Sequence, residues 1–135
     1  MIRKIPAAAP LGAALLLGAA LSACQKGGGE HDHGAAQGPP ADAAHGKVVF
    51  TTTCSTCHGQ DGMGVKGLGR DLVTSEFVTE SSDEELLKMV NTGRPADDPL
   101  NTTKIAMPPK GGNAALSEQD VRDAIAYLRT IHKPS

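Results

Sequence analysis

Five consecutive residues, Cys54-Ser55-Thr56-Cys57-His58, constrain the fold of this 135-residue chain more than any other feature. Two cysteines separated by two residues, with a histidine directly after, form the attachment signal for a covalently bound c-type haem. On one turn of helix both thiols can reach vinyl groups of the same porphyrin. The adjacent imidazole of His58 then lies under the ring, where its nitrogen can bind the iron. Zinc also takes Cys and His, but a structural zinc site wants four ligands, and no second Cys or His pair follows at such a spacing. A thioredoxin-like dithiol needs a strand–helix–strand context, which is absent from this pattern. The expectation is a fold wrapped around one flat, apolar cofactor.

The start of the chain reads as an address. Arg3 and Lys4 precede an Ala/Leu/Gly-rich run from Pro10 to Ala23, the form of a secretory signal peptide. The run ends Leu21-Ser22-Ala23-Cys24, which resembles the lipobox of bacterial lipoproteins, where the cysteine is acylated and becomes the mature N-terminus. An uncleaved membrane helix, or a plain signal with a stray cysteine, are the alternatives. The three cysteines then divide into one for lipid and two for haem, with none left for a disulfide. Acyl chains on Cys24 hold a protein on a membrane without making it span one, and no later run is apolar enough to cross a bilayer. The expected place is the periplasmic side, lipid-anchored to the inner or outer membrane. Gln25 rather than Asp after the lipidated position resembles sorting patterns that permit the outer one.

The expected division is a signal over residues 1–23, a lipidated N-terminus and tether over 24–42, and a folded domain over 43–135. Setting aside Arg3 and Lys4 takes the net charge from −2 to −4, so nothing suggests nucleic-acid binding. The tether is rich in Gly, Ala and Pro. Its His31-Asp32-His33 either binds a metal loosely or is solvated linker.

Within the domain, Asp42 caps a first helix carrying Val48, Val49 and Phe50 toward the pentapeptide. Gly46, unfavourable by roughly 1 kcal/mol inside a helix, marks either a close helix crossing or an early frayed turn. Gly59, Gly62, Gly64, Gly67 and Gly69 exclude a regular helix and fit a tight loop against a flat cofactor. They match no dinucleotide or phosphate-binding pattern. Ser82-Asp83-Glu84-Glu85 is a capping box opening a helix with Leu86, Leu87 and Val90, closed by Gly93. A Pro-punctuated loop follows over 94–112, long enough to be functional. Ser117 and Asp120 open a last helix with Val121, Ala124, Ile125, Leu128 and Ile131 at helical spacing, and Pro134 beyond it. The fold class is therefore all-α, three to five helices with long loops around one haem. With Phe50, Phe77 and Tyr127 as the only aromatics, the porphyrin supplies the apolar bulk that the side chains lack.

For a second iron ligand, Met89 sits among helical core positions and Met63 lies only five residues after His58. Met107, in Met107-Pro108-Pro109, is the remaining candidate. A thioether opposite an imidazole favours ferrous iron and suits electron transfer. A surface methionine there, or His45 or His132 as ligand instead, are the rival readings.

The signal, the Cys54–His58 motif, Met107-Pro108-Pro109-Lys110-Gly111-Gly112 and the segment Leu116–Ile131 together resemble small class I c-type cytochromes, related to the cytochrome c subunits of haem–copper oxidases. The resemblance covers about Ala43 to Ile131. It implies haem held by Cys54 and Cys57, His58 as proximal ligand and Met107 as distal ligand. It further implies that the first and last helices cross near Gly46 and Tyr127, with Phe50 at the crossing. Family members often carry a proline where Gly69-Arg70-Asp71 stands here, beside the carbonyl that orients the proximal imidazole. Arg70 either pairs with a haem propionate or is solvated. The implied function is a one-electron carrier meeting redox partner proteins, with Lys66, Lys104 and Lys110 steering an acidic one. A haem-bearing subunit of a respiratory complex is the alternative. A haem enzyme or gas sensor with a dissociable Met107 is a further one, against which stands the lack of any His or Arg flanking Met107 in sequence.

Overall fold

The computed structural model describes residues 38–134, so the leader, Cys24 and the His31/His33 segment lie outside the described residues. Asp42 stands in extended backbone and accepts hydrogen bonds from the amides of Ala44 and His45, which opens α1 (Ala43–Val49) as its sequence position implies. Val49 and Phe50 turn inward, whereas Val48 stays exposed. The helix then does something the sequence did not announce. Phe50–Cys54 widens into a π-helical turn before α2 (Ser55–His58). Thr51, Thr52 and Ser55 each donate a hydroxyl to the carbonyl four residues back, a back-bonding that bends the ladder. Single π turns inside helices collect at functional sites, and this one leads directly into the pentapeptide.

Ser75 caps a short α3 (Glu76–Glu80) that no periodic signal revealed. Ser82 and Glu85 form the reciprocal capping box of α4 (Asp83–Thr92), which ends at Gly93. Ser117 and Asp120 do the same for α5 (Glu118–Ile131). Val78, Leu86, Leu87, Val121, Ile125 and Leu128 make the buried cluster between α3, α4 and α5. Arg129 stitches these elements together, reaching the carbonyls of Val78 and Ser81 and the carboxylate of Asp83. Arg122 joins Glu84 to Glu118.

The crossing of α1 over α5 explains Gly46. A Cβ there would overlap the Asp123 carbonyl, so only glycine lets the backbones meet. Next to the crossing, Phe50 and Tyr127 pack as a tilted aromatic pair with centroids 5.4 Å apart. Asp123, buried at the same place, accepts from the Asp42 amide, the Gln119 amide and His45. Among the described residues the only β pairing is an isolated antiparallel bridge between Arg94 and Met107. No described helix is long and apolar enough to cross a membrane.

Candidate functional site

One apolar cleft brings the sequence-marked residues together. Cys54, Cys57 and His58 line it with Met107, and Val49, Leu86, Val121 and Ile125 contribute to its walls. Met89 also borders the cleft, whereas Met63 is exposed and does not. His45 and His132 do not border it either. His45 is held by Asp123 at 2.8 Å. Both ring nitrogens of His132 are engaged, one with the Leu72 carbonyl and one with the Thr79 hydroxyl.

The wall that carries His58 is fixed by backbone. Gly64 donates to the His58 carbonyl at 2.7 Å and Val65 to the Cys57 carbonyl at 2.9 Å. At Gly69 a Cβ would overlap that same Cys57 carbonyl, so the glycine-rich loop is pressed against the pentapeptide. The imidazole itself donates from Nδ1 to the Arg70 carbonyl at 2.9 Å. That bond sets the tautomer and leaves the Nε2 lone pair for a metal. Cys54 and Cys57 are free thiols. Burial, with a smaller contribution from the Cys57 charge, pushes the Cys54 thiol up to about 11, which keeps it protonated at neutral pH.

The opposite loop is held as firmly. Arg94 and Met107 exchange both backbone hydrogen bonds at 2.8 Å. Gly93, at φ +76°, makes room for them: a Cβ would overlap the Met107 carbonyl and come within 2.8 Å of the Pro109 nitrogen. Asn101 fills the loop's interior at 4 % exposure. Two arginines converge on one carbonyl, that of Leu100, each at 3.3 Å: Arg70 from the His58 side and Arg94 from the Met107 side. Arg94 also lies over the Phe77 ring, 4.7 Å from its centroid.

The sequence reading missed three of these features. Arg94 is far from Met107 in the chain but adjacent in space, and its guanidinium is committed to Leu100 and Phe77. Asn101 carried no motif. Lys110, expected with Lys66 and Lys104 to steer an acidic partner, is half-buried and donates from Nζ to the Leu116 carbonyl at 2.6 Å. Lys66 and Lys104 do remain exposed.

A donor set of one imidazole with its second nitrogen occupied, one thioether and two cysteines, around an apolar slot, fits a haem and does not fit zinc. Among the described residues no cluster of three or more His, Cys, Asp or Glu side chains could hold a metal ion on its own.

Comparisons with known proteins show the family. Residues 41–128 match the family described as "Cytochrome C oxidase, cbb3-type, subunit III". Over 87 residues the chain is 31% identical to cytochrome c-555 of Chlorobaculum tepidum, covering 64% of this chain and 74% of that one. It is 31% identical over 97 residues to cytochrome c-554(547) of Halothiobacillus neapolitanus, covering 67% and 97%. Among solved structures, cytochrome cL of Methylophaga aminisulfidivorans superposes with a TM-score of 0.52 at 21% identity. That match covers 69% of this chain and 55% of the other, and it bears on the fold alone.

Proposed function

The chain belongs to the class I c-type cytochromes, and from that premise we propose how it holds its haem and where it works. It is an electron carrier, not an enzyme, with a covalently bound haem c. In our reading Cys54 and Cys57 form the two thioethers, His58 binds iron through Nε2 and Met107 binds it through sulfur. The haem supplies a one-electron ferric–ferrous couple. The Arg70 carbonyl fixes the His58 ring, which would present its Nε2 to the haem iron. The apolar walls would exclude water and disfavour the extra charge of a ferric haem, and the thioether of Met107 would work in the same direction.

The observation that supports this most is that His58 and Met107 border one apolar cleft while each is pinned by its own backbone hydrogen bonds. The test is the far-red sulfur-to-iron charge-transfer band of the oxidised protein. It should be present in the wild type, Met63→Ala and Met89→Ala, and absent in Met107→Ala. A band surviving in Met107→Ala would assign the ligand elsewhere.

We further propose that Cys24 is acylated and that the domain works on the periplasmic side of a membrane, on a tether. Radiolabelled palmitate should enter the wild type and not Cys24→Ala; a wild type that stays unlabelled would refute the lipid anchor. Exposed Lys66 and Lys104 favour steering of an acidic redox partner, so association should slow as ionic strength rises. A second reading, a fixed haem-bearing subunit of a respiratory complex, draws on the description of the matching family. Stable co-purification with other subunits after mild detergent extraction would favour it over a free shuttle.

A further inference from the structure

We propose that Asn101 is the positioning residue for the distal iron ligand: its buried carboxamide locks the loop that presents Met107. The inference rests on Met107 being that ligand.

Between Arg94 and Met107 the chain leaves the body of the protein and returns. Nothing in its composition closes it, since Pro95, Asp97, Asp98, Pro99, Thr102 and Thr103 form neither helix nor ladder. Asn101 sits in the middle of this excursion, yet it is as buried as the helical core. All of its hydrogen-bonding capacity is directed at the loop's own two arms. Nδ2 donates to the Pro95 carbonyl on the outgoing arm at 2.9 Å and to the Ile105 carbonyl on the returning arm at 2.7 Å. Oδ1 accepts from the Thr103 hydroxyl and from the Lys104 amide, both at 3.0 Å. Two carbonyls on one end and two donors on the other leave a single amide orientation that satisfies all four partners.

Lys104 shows what this bond set enforces. Its φ is +58°, a left-handed conformation that a residue with a Cβ adopts at a cost of roughly 1–2 kcal/mol. The Asn101 oxygen accepts the Lys104 amide just where the chain turns, and three residues later comes Met107. Strain of this kind persists only where the surroundings over-determine it. The neighbouring Leu100 carbonyl, held by Arg70 and Arg94, anchors the same corner to both sides of the cleft. The Met107 backbone is thus fixed twice: by its pairing with Arg94, and by a return path whose only interior strut is Asn101.

The experiment uses the haem-loaded protein and follows the far-red charge-transfer band through an alkaline titration, together with the reduction potential. Asn101→Ala removes all four bonds. Asn101→Asp keeps the shape and the two accepting contacts but loses both donations to carbonyls. In both variants the pH at which the band disappears should fall by about one unit, an order of tenfold in the ligand-off population, and the potential should drop. Helical circular dichroism should stay unchanged. Arg122→Ala, which loosens α4 from α5 without touching the loop, should lower the melting temperature and leave the band's midpoint alone. Should Asn101→Ala fail to fold, Thr103→Val, which removes one of the four bonds, carries the same two outcomes on a smaller scale. Wild-type midpoint and potential in the Asn101 variants would overturn the proposal. A band that persists in Met107→Ala would instead overturn the ligand assignment beneath it.

Discussion

The Nδ1 of His58 donates to the backbone carbonyl of Arg70 across 2.9 Å, and the bond depends on no side chain at position 70. The carbonyl that orients the imidazole is therefore supplied by the Arg70 backbone, and the arginine side chain is left for another task. It reaches across to the Leu100 carbonyl on the opposite loop. One residue thus touches both walls of the cleft, by its backbone on one side and its guanidinium on the other.

Arg70→Ala should separate these two roles. Haem attachment and the main absorption bands should be those of the wild type, because the bond to His58 is kept. Stability should fall by about 1 kcal/mol or less, as expected for one partly exposed hydrogen bond. Denaturant unfolding of the oxidised protein measures it. Loss of haem or a changed proximal ligation would show that the side chain does more than brace the loop.

Gly46 and Gly93 should fail differently when given a methyl group. Gly46→Ala places a Cβ into the Asp123 carbonyl and pushes α1 off α5, an overpacking cost of roughly 1–3 kcal/mol. Gly93→Ala meets the Met107 carbonyl and also demands φ +76° of a residue with a Cβ. The first should lower the melting temperature with the far-red band intact, and the second should weaken the band as well. Equal effects of both on the band would contradict the separation.

Much of this was legible beforehand because it is local. The capping boxes at Ser82 and Ser117 depend on residues three apart, and α4 and α5 start where those pairs stand. Gly46 was legible as a choice between two meanings, and the backbone contact with Asp123 decides it. What stayed hidden is non-local or conformational. The π turn at Phe50–Cys54 arises from hydroxyls bonding back to carbonyls, for which a run of threonines is only a faint sign. Asn101 and Arg94 owe their importance to partners that meet only once the loop has closed. Lys110 looked like any surface lysine until the Leu116 carbonyl was found at its tip.

The Asp123 cluster gives the α1–α5 junction a pH dependence. The hydrogen bond that the His45 ring donates to the Asp123 carboxylate raises the His45 pKa above its ordinary 6.5. Burial pushes Asp123 up, but the Asp42 amide, His45 and Gln119 together outweigh it and hold its carboxyl below the usual range. Asp120, 3.7 Å from the His45 ring, lies low through its bonds from Ser117. A raised histidine stabilises the fold fully below about pH 6.5, and that contribution fades as pH rises through its folded value. A lowered aspartate contributes above about pH 4 and is lost as pH falls through its folded value. The melting temperature should therefore decline gently on the alkaline side of pH 6.5, and His45→Gln should flatten that limb most, with a smaller effect on the acid limb because His45 also helps to lower Asp123. Asp123→Asn should flatten both limbs. An alkaline decline that is unchanged in His45→Gln would assign it to other groups.

The core and the cleft share most of their apolar residues. Apart from Val73 and Leu87, every buried hydrophobic side chain also borders the cleft. Val49, Phe50, Leu86, Val121 and Ile125 are buried among neighbouring side chains and also line the cleft. A haem seated there would remove further apolar surface from water, at about 25 cal/mol per Å². A domain of this size has little stability in reserve against losing that contribution. Cys54→Ala/Cys57→Ala, purified without haem, should lose most of its helical circular dichroism at 222 nm (roughly the α-helix minimum) and unfold without a cooperative transition. The α4–α5 contact, built on Leu87 and the Arg122 and Arg129 ion pairs, should be the last helical signal to go. A native-like spectrum and a sharp melt in the haem-free variant would mean that the side chains close the core unaided.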